Sequence, residues 1–139
     1  MRSKFQISGL AIGLIIMFLV FSAKTYAQAK PWVAPKEAEN VKNPLSGNVN
    51  GLSDAQKLYV STCSPCHGAK GKGDGAAASA LNPKPADHTS VAVQNQTDGA
   101  LFWMITQGRN AMPQYKAILT DAQKWELINY IRTLSKAKK

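Results

Sequence analysis

The chain is poor in residues that cross-link a fold or bind metal ions, because its 139 residues include only two cysteines and two histidines. Cys63, Cys66 and His67 lie within five positions of one another, too close in sequence to close a tetrahedron around one zinc ion. The only other cysteine or histidine in the chain is His88. A structural zinc site closes a tetrahedron with about four ligands, which this crowded set does not supply. A redox-active C-x-x-C pair normally opens a helix after a strand of a βαβ unit, and no such pattern surrounds these cysteines. Zinc binding and disulfide exchange are therefore disfavoured.

Three further sequence patterns are absent. No basic run with interleaved aromatic residues indicates a nucleic-acid surface, and no alternation of apolar and polar residues indicates strands. Gly71, Gly73 and Ala76 fit the letters of a dinucleotide-binding fingerprint, but no strand precedes them and no G-K-[ST] follows. These glycines are more simply explained as residues that permit a tight turn.

Residues 1–29 have the order of regions typical of a secretory signal peptide. Arg2 and Lys4 give a positive start, residues 9–23 are almost entirely apolar, and a short stretch ending at Ala29 offers an A-x-A cleavage site. Cleavage two residues earlier is an alternative. An uncleaved anchor also stays open, because the apolar stretch approaches the roughly 20 residues that span a bilayer. We expect an exported protein, periplasmic after cleavage and membrane-anchored without it.

Export would leave roughly 110 residues, the size of one domain. From residue 30 onward the chain has 14 Lys and Arg against 8 Asp and Glu, a net charge of +6. This charge favours a partner with an acidic surface, and an ordinary solvated basic surface is the alternative. Residues 30–51 contain three prolines and four asparagines without helical or strand periodicity. We expect an extended arm there, ordered at most where Trp32 and Val33 find a surface, followed by one domain over residues 52–139.

Capping signals predict three helices in this domain. The string L-S-D-A-Q-K places Ser53 at an N-cap three residues before a glutamine, and L-T-D-A-Q-K repeats the pattern at Thr120. A third helix is expected in D-G-A-L-F-W-M-I-T-Q-G, with Asp98 capping its start and Gly108 capping its end. The sequence therefore predicts an all-α fold of three to five short helices and long loops. Such a chain buries little apolar area and needs a cofactor or another staple to complete its core.

The string C-S-P-C-H at residues 63–67 matches the attachment signature of c-type haem. The thiols of Cys63 and Cys66 add across the two vinyl groups of the haem. When the segment is locally helical, two intervening residues give the thiols the same spacing as the vinyl groups. His67 is then placed beneath the iron as an axial ligand. A haem would also supply the apolar core that the chain needs. We predict one covalently attached haem c.

The second axial position of the iron has three candidate ligands: Met104, Met112 and His88. Met104 lies within a predicted helix, where packing is the usual role of methionine. Met112 lies in the loop G-R-N-A-M-P-Q-Y and is followed by Pro113, which limits its movement. We favour Met112, and His88 or an open position stays an alternative. Histidine and methionine ligation raises the reduction potential. With both axial positions filled, substrate has no route to the iron, so we expect an electron-transfer protein rather than an enzyme.

Together these strings resemble those of the class I (monohaem) cytochromes c of bacteria. C-S-P-C-H-G-A-K-G-K-G-D-G matches their C-x-x-C-H-G-x-x-G-x-G-D-G opening, G-R-N-A-M-P-Q-Y resembles their methionine-ligand loop, and L-T-D-A-Q-K-W-E-L-I-N-Y-I-R-T-L resembles their closing helix. The resemblance covers about residues 53–135. It implies a cytochrome c fold whose first and last helices cross near the haem, attachment through both cysteines, and axial ligation by His67 and Met112. His88 departs from the pattern, because an aromatic or aliphatic residue is expected after P-A-D.

The resemblance also implies contacts around the haem. The carbonyl of Pro83 or Pro85 is expected to orient His67 through its second ring nitrogen. Trp103 and Arg109 are candidates for contact with a haem propionate, with core packing as the alternative for Trp103.

The function that these features imply is single-electron transfer between exported or membrane-bound respiratory partners by Fe(II)/Fe(III) cycling. A basic rim at the haem edge would steer an acidic redox partner. Its expected members are Lys70, Lys72, Lys84 and Lys116. One alternative is a fixed haem c subunit of a larger respiratory oxidoreductase, with residues 30–51 contacting its neighbour. Another is a ligand-binding haem sensor or enzyme in which Met112 is displaced.

Overall fold

The computed structural model describes residues 32–135, so the predicted signal sequence lies outside the described residues. Within that range the chain forms six α-helices and a 3-10 turn, and it forms no strand. The helices are α1 (Lys36–Glu39), α2 (Leu52–Thr62), α3 (Ser64–His67), α4 (Val91–Gln94), α5 (Asp98–Gln107) and α6 (Asp121–Leu134), and the 3-10 turn is Ala78–Ala80. The all-α prediction is confirmed. The three predicted helices correspond to α2, α5 and α6, and the other three are single turns.

No helix between residues 32 and 135 has the length and apolar character needed to cross a membrane. The apolar stretch of the predicted signal sequence falls outside this range, so the choice between cleavage and anchoring stays a prediction.

The core lies where α6 packs against both α2 and α5. Tyr59 of α2 and Leu127 and Ile128 of α6 are almost completely buried. Trp125 of α6 stacks on Phe102 of α5 with ring centroids 4.1 Å apart. The contact between the first and last long helices is the one that the cytochrome c resemblance implies.

The predicted capping box of α6 is present, whereas that of α2 is not. Thr120 Oγ1 accepts a hydrogen bond from the Gln123 amide at 3.2 Å, and Gln123 Oε1 accepts one from the Thr120 amide at 2.9 Å. α2 begins at Leu52, one residue before Ser53, with Gly51 as its N-cap and no side-chain cap. A Cβ at position 51 would lie 2.8 Å from a carboxylate oxygen of Glu126, so the chain meets α6 there. Glycine at this position leaves room for the Glu126 side chain.

The N-cap of α5 also differs from the predicted one, by one residue. Thr97 is the N-cap, and its hydroxyl accepts a hydrogen bond from the Ala100 amide at 3.1 Å. Asp98 is therefore free to bind the guanidinium of Arg132 from α6. The helix ends at Gly108 as predicted, with φ 62 in the left-handed region that favours glycine.

Arg132 joins three helices through a branched set of hydrogen bonds. Its Nε and Nη2 atoms donate to Asp98 Oδ1 at 2.9 and 2.8 Å. Its Nη1 atom donates to the Gln94 carbonyl at 2.9 Å and to the Val93 carbonyl at 3.3 Å, and Nη2 also donates to the Gln96 carbonyl. The ion pair is mostly shielded from water, because each of its side chains is 23% exposed.

Residues 32–51 are not the extended arm that the sequence predicts. They contain α1 and pack on the helices through polar contacts. Asn43 Nδ2 donates to Asp98 Oδ2 and to Asn129 Oδ1, each at 2.9 Å. A Cβ at Gly99 would collide with backbone carbonyls of α1 and of the turn that follows it. Isolated asparagine and glycine contacts of this kind leave no periodic pattern in a sequence, which explains why the segment looked unstructured.

Candidate functional site

The segment from Cys63 to His67, called the cysteine segment below, is helical. The predicted attachment of its two thiols to the two vinyl groups of a haem requires this conformation. α2 ends at Thr62, and Cys63 continues into α3 with its carbonyl accepting from the His67 amide at 2.9 Å. Pro65 lies in the first turn of α3, where a missing amide hydrogen leaves no helical bond unmade. Both cysteines are free and half-buried. The local fold thus places two thiols and an imidazole within little more than one helical turn.

The electrostatics around Cys63 do not suit thiol–disulfide exchange. Burial, and to a smaller extent the neighbouring Cys66, raises the pKa of the Cys63 thiol to about 12. Exchange needs a thiolate, and catalytic C-x-x-C pairs lower the pKa of the attacking thiol. Between residues 32 and 135, no three His, Cys, Asp or Glu side chains come together as a metal-ion cluster.

His67 is oriented by a backbone carbonyl, which belongs to Ala86 rather than to either predicted proline. Because a carbonyl oxygen only accepts, His67 Nδ1–H donates to Ala86 O at 3.0 Å, and Nε2 keeps its lone pair. Burial lowers the pKa of His67, which favours the neutral imidazole that binds a metal. The carbonyl of Pro85 lies instead against Gly73, where a Cβ would come within 2.5 Å of its oxygen. Pro83 precedes this contact by two residues.

The glycine-rich loop after His67 folds back over α3. Gly73 donates its amide to the His67 carbonyl at 2.8 Å, and Gly75 donates to the Cys66 carbonyl at 3.1 Å. Gly73 has φ 72, and a Cβ at Gly75 would collide with the backbone of Pro65. The loop therefore makes the tight turn that the glycines predict and satisfies carbonyls at the end of α3.

His88 lies beside His67 rather than apart from it. The two imidazole rings stack with centroids 4.1 Å apart and an interplanar angle of 21°. The Tyr59 hydroxyl and His88 Nδ1 are hydrogen-bonded at 2.9 Å. Burial, and to a smaller extent the adjacent His67, lowers the pKa of His88 to about 3, so this imidazole is neutral at physiological pH. The sequence identified His88 only as an alternative ligand, and nothing in it indicated the stacking.

The loop of Met112 is tightly closed at the end of α5. Arg109 and Met112 exchange two backbone hydrogen bonds of 3.0 and 2.9 Å. A Cβ at Gly108 would come within 2.5 Å of the Pro113 backbone, so only glycine allows this approach. Met112 is half-buried against the core, whereas Met104 is 9% exposed within α5. The methionine of the loop is thus held in place by its backbone.

Tyr115 connects the loop of Met112 to the cysteine segment. Its hydroxyl donates to the Thr62 carbonyl at 3.4 Å. Burial raises the pKa of Tyr115, and the nearby Cys63 and Cys66 raise it further. Cys63 and Met112 both pack at the edge of the same hydrophobic core. The sequence offered no signal that this tyrosine would join the two segments.

Trp103 and Arg109, the two predicted propionate contacts, meet at Trp32. The rings of Trp32 and Trp103 have centroids 6.3 Å apart, and Arg109 Cζ lies 5.9 Å from the centroid of the Trp32 ring. Trp32 is therefore ordered by contact with Trp103 and Arg109, in line with the expectation that this residue could pack on a surface of the domain. Contact of Trp103 or Arg109 with a propionate stays a prediction.

The sequence model of one protein family matches residues 50–131, which is more than half of the chain. That family is described as cytochrome C oxidase, cbb3-type, subunit III. The matched range includes the segment from Cys63 to His67, the loop of Met112 and most of α6. The comparison with curated proteins gives no match.

Proposed function

The chain belongs to the family of subunit III of cbb3-type cytochrome c oxidase, and we propose that it is a monohaem electron carrier with His67 and Met112 as axial ligands. The family is one of c-type cytochrome domains, so the resemblance to these cytochromes is confirmed, and with it haem-based electron transfer as the general function. The observation that carries the finer proposal is the hydrogen bond from His67 Nδ1 to Ala86. It fixes the tautomer that leaves Nε2 available to iron.

The residues of the cysteine segment fit haem c. Two free cysteines stand three residues apart on a helical turn, next to a neutral imidazole whose Nδ1 already donates a hydrogen bond. Cys63 and Cys66 would hold the group through thioether bonds, and His67 would bind its iron. When bound, haem supplies an iron centre that gains and loses one electron.

Met112 is the best candidate for the second axial ligand. This ligand must lie on the opposite face of the haem from His67. His88 stacks on the side of the His67 ring, so it lies next to the first ligand rather than opposite to it. Met104 is a buried core residue of α5. Met112 is half-buried in a closed loop whose Tyr115 reaches the segment that carries the cysteines.

Three measurements on the full-length protein matured in a haem-attaching host test this function. Intact mass should show one added haem, lost in the Cys63→Ala/Cys66→Ala double variant. A potentiometric titration should follow a single one-electron curve, and the untreated ferrous protein should not bind carbon monoxide. Rapid carbon monoxide binding would support the sensor or enzyme alternative and contradict the carrier proposal.

The basic rim is proposed to steer negatively charged redox partners. Its four lysines are exposed: Lys70, Lys72, Lys84 and Lys116. Surface charges within about one Debye length of the haem edge accelerate encounters with an opposite charge and are screened by salt. Oxidation of the ferrous protein by hexacyanoferrate(III) should therefore slow as ionic strength rises, while oxidation by the cationic tris(phenanthroline)cobalt(III) should accelerate. Equal salt dependence for both oxidants would contradict the steering role.

Export is proposed on the order of charged, apolar and small residues at positions 1–29. The mature protein should then be recovered from the periplasmic fraction with its N-terminus at residue 28 or 30. Recovery of the uncleaved chain with the membrane would favour the anchor instead. A cytoplasmic chain without haem would contradict export.

A second candidate function, a fixed subunit of a larger oxidase, is favoured by the family description. Residues 32–51 pack on their own domain, but they also expose Val33, Val41 and Val49, which a neighbouring subunit could cover. Purification from detergent-solubilised membranes separates the two functions. A carrier elutes as a single small haem protein, whereas a fixed subunit stays with larger chains in constant proportion.

A further inference from the structure

His88 is held at three points, two on its backbone and one on its ring. Its amide donates to the Gly71 carbonyl at 2.6 Å, and its carbonyl accepts from Gln94 Nε2 at 2.7 Å. Its Nδ1 atom is hydrogen-bonded to the Tyr59 hydroxyl at 2.9 Å. These partners come from three different segments, the glycine loop, α4 and α2. The imidazole of His88 is consequently fixed in both position and plane.

The groups that hold His88 are themselves fixed. Tyr59 is completely buried in the core. Gln94 Nε2 also donates to the Ile131 carbonyl of α6 at 3.1 Å. A Cβ at Gly71 would lie 3.1 Å from His88 Cβ and 3.3 Å from Tyr59 Oη, so the loop packs closely against this pair. His88 is thus a rigid surface beside the ring of His67.

The ring of His67 needs more than one constraint to keep its plane. The torsion that turns an imidazole about its Cβ–Cγ bond is broad and roughly two-fold, so it sets the plane weakly. The bond to Ala86 fixes one nitrogen at the edge of the ring. The stack on His88 adds contact across the face of the ring.

We propose that His88 is a positioning residue that sets the plane of the His67 imidazole, a role that rests on the proposed binding of haem iron by His67. Groups that orient a metal-bound histidine tune the metal that it binds. The plane of an axial imidazole decides which of two iron d orbitals it overlaps. In the ferric state that choice distributes unpaired spin unevenly over the porphyrin, and the haem-methyl NMR shifts report it directly.

Three variants of the full-length haem protein test the proposal by ferric-state NMR. His88→Ala removes the stack and should change the spread and order of the haem-methyl shifts. His88→Phe keeps a flat ring at the same place and should restore a pattern close to that of the parent. Tyr59→Phe removes only the hydroxyl and should change the pattern in the same direction as His88→Ala, by a smaller amount. Thr89→Ala is the matched control, because its hydroxyl contacts Asp87 and Lys72 rather than either imidazole.

The absorbance of the same samples separates this proposal from the proposed ligands. The long-wavelength band of methionine sulfur on ferric iron should persist in every variant, since none of them touches Met112. If the band persists while His88→Ala leaves the methyl pattern unchanged, the positioning role is overturned and the ligands stand. If the parent protein has no such band, the proposed ligation by Met112 fails, whatever His88 does. A changed pattern in His88→Ala that His88→Phe does not restore also overturns positioning by stacking.

Discussion

Replacing Arg132 with alanine removes the side chain that joins α4, α5 and α6. The guanidinium makes two bonds to Asp98 and donates to the carbonyls of Val93 and Gln94 in α4 and of Gln96 in the turn that follows. After the replacement, the Asp98 carboxylate keeps Asn43 as a neutral partner. The loss therefore leaves a mostly buried carboxylate without its countercharge and removes a donor from the Gln94 and Gln96 carbonyls, while the Val93 carbonyl keeps the Gln96 amide as a donor.

The expected destabilisation is about 3 kcal/mol. Breaking a buried ion pair by removing one partner costs about 3–5 kcal/mol. Both side chains are 23% exposed, so water screens part of the attraction and the lower end of that range applies. In a domain of about 100 residues, 1 kcal/mol shifts the melting temperature by about 4–8 °C, so we expect a decrease of about 12–24 °C.

Thermal unfolding of the purified haem-loaded protein, followed by far-ultraviolet circular dichroism, measures the change. Lys57→Ala is the matched control, because Lys57 pairs with Asp54 at 2.9 Å on the surface, where the side chains are 75% and 79% exposed. That pair should contribute less than about 0.5 kcal/mol. A decrease below about 4 °C for Arg132→Ala, or an equal decrease for the control, would refute the reasoning.

Three other predictions follow from contacts in the fold. Thr120→Ala should lower the free energy of unfolding by about 1 kcal/mol because it removes a formed cap, whereas Ser53→Ala should leave it nearly unchanged, and chemical denaturation compares the two. Gly73→Ala should lower the free energy of unfolding by about 2 kcal/mol or more, because residue 73 has φ 72 and an added Cβ would collide with the Pro85 carbonyl. Gly47→Ala is the control, since Gly47 has φ 77 but open space around it, and an equal decrease in that variant would contradict the prediction. Changing three of the exposed rim lysines to glutamine should reduce the salt dependence of oxidation by hexacyanoferrate(III), and stopped-flow rates that keep the parent's slope would count against the rim.

The long helices and the haem attachment segment could be predicted because their signals are local. α6 has apolar residues at helical spacing and a capping box formed by neighbours in sequence. The segment from Cys63 to His67 carries its chemistry within five positions. Propensity and capping placed the N-caps of these elements to within two residues, and the errors at α2 and α5 arose where the chain contacts another helix.

The remaining features depend on contacts between distant segments. Every residue has a carbonyl, so no sequence pattern distinguishes Ala86 from Pro85 as the partner of His67. Asn43 and Arg132 each look like ordinary surface residues until the fold brings Asp98 to them. The stacking of the two imidazoles likewise requires α2, the glycine loop and α4 to be assembled first.

The proposed ligation of iron by His67 and Met112 is tested most directly by the ferric absorbance spectrum of the full-length protein with its haem covalently attached. The long-wavelength band of methionine sulfur on iron should be present in the parent protein. It should persist in Met104→Leu, a volume-conserving change within α5, and disappear in Met112→Ala. Absence of the band from the parent protein, or its survival in Met112→Ala, would contradict the proposed ligand set.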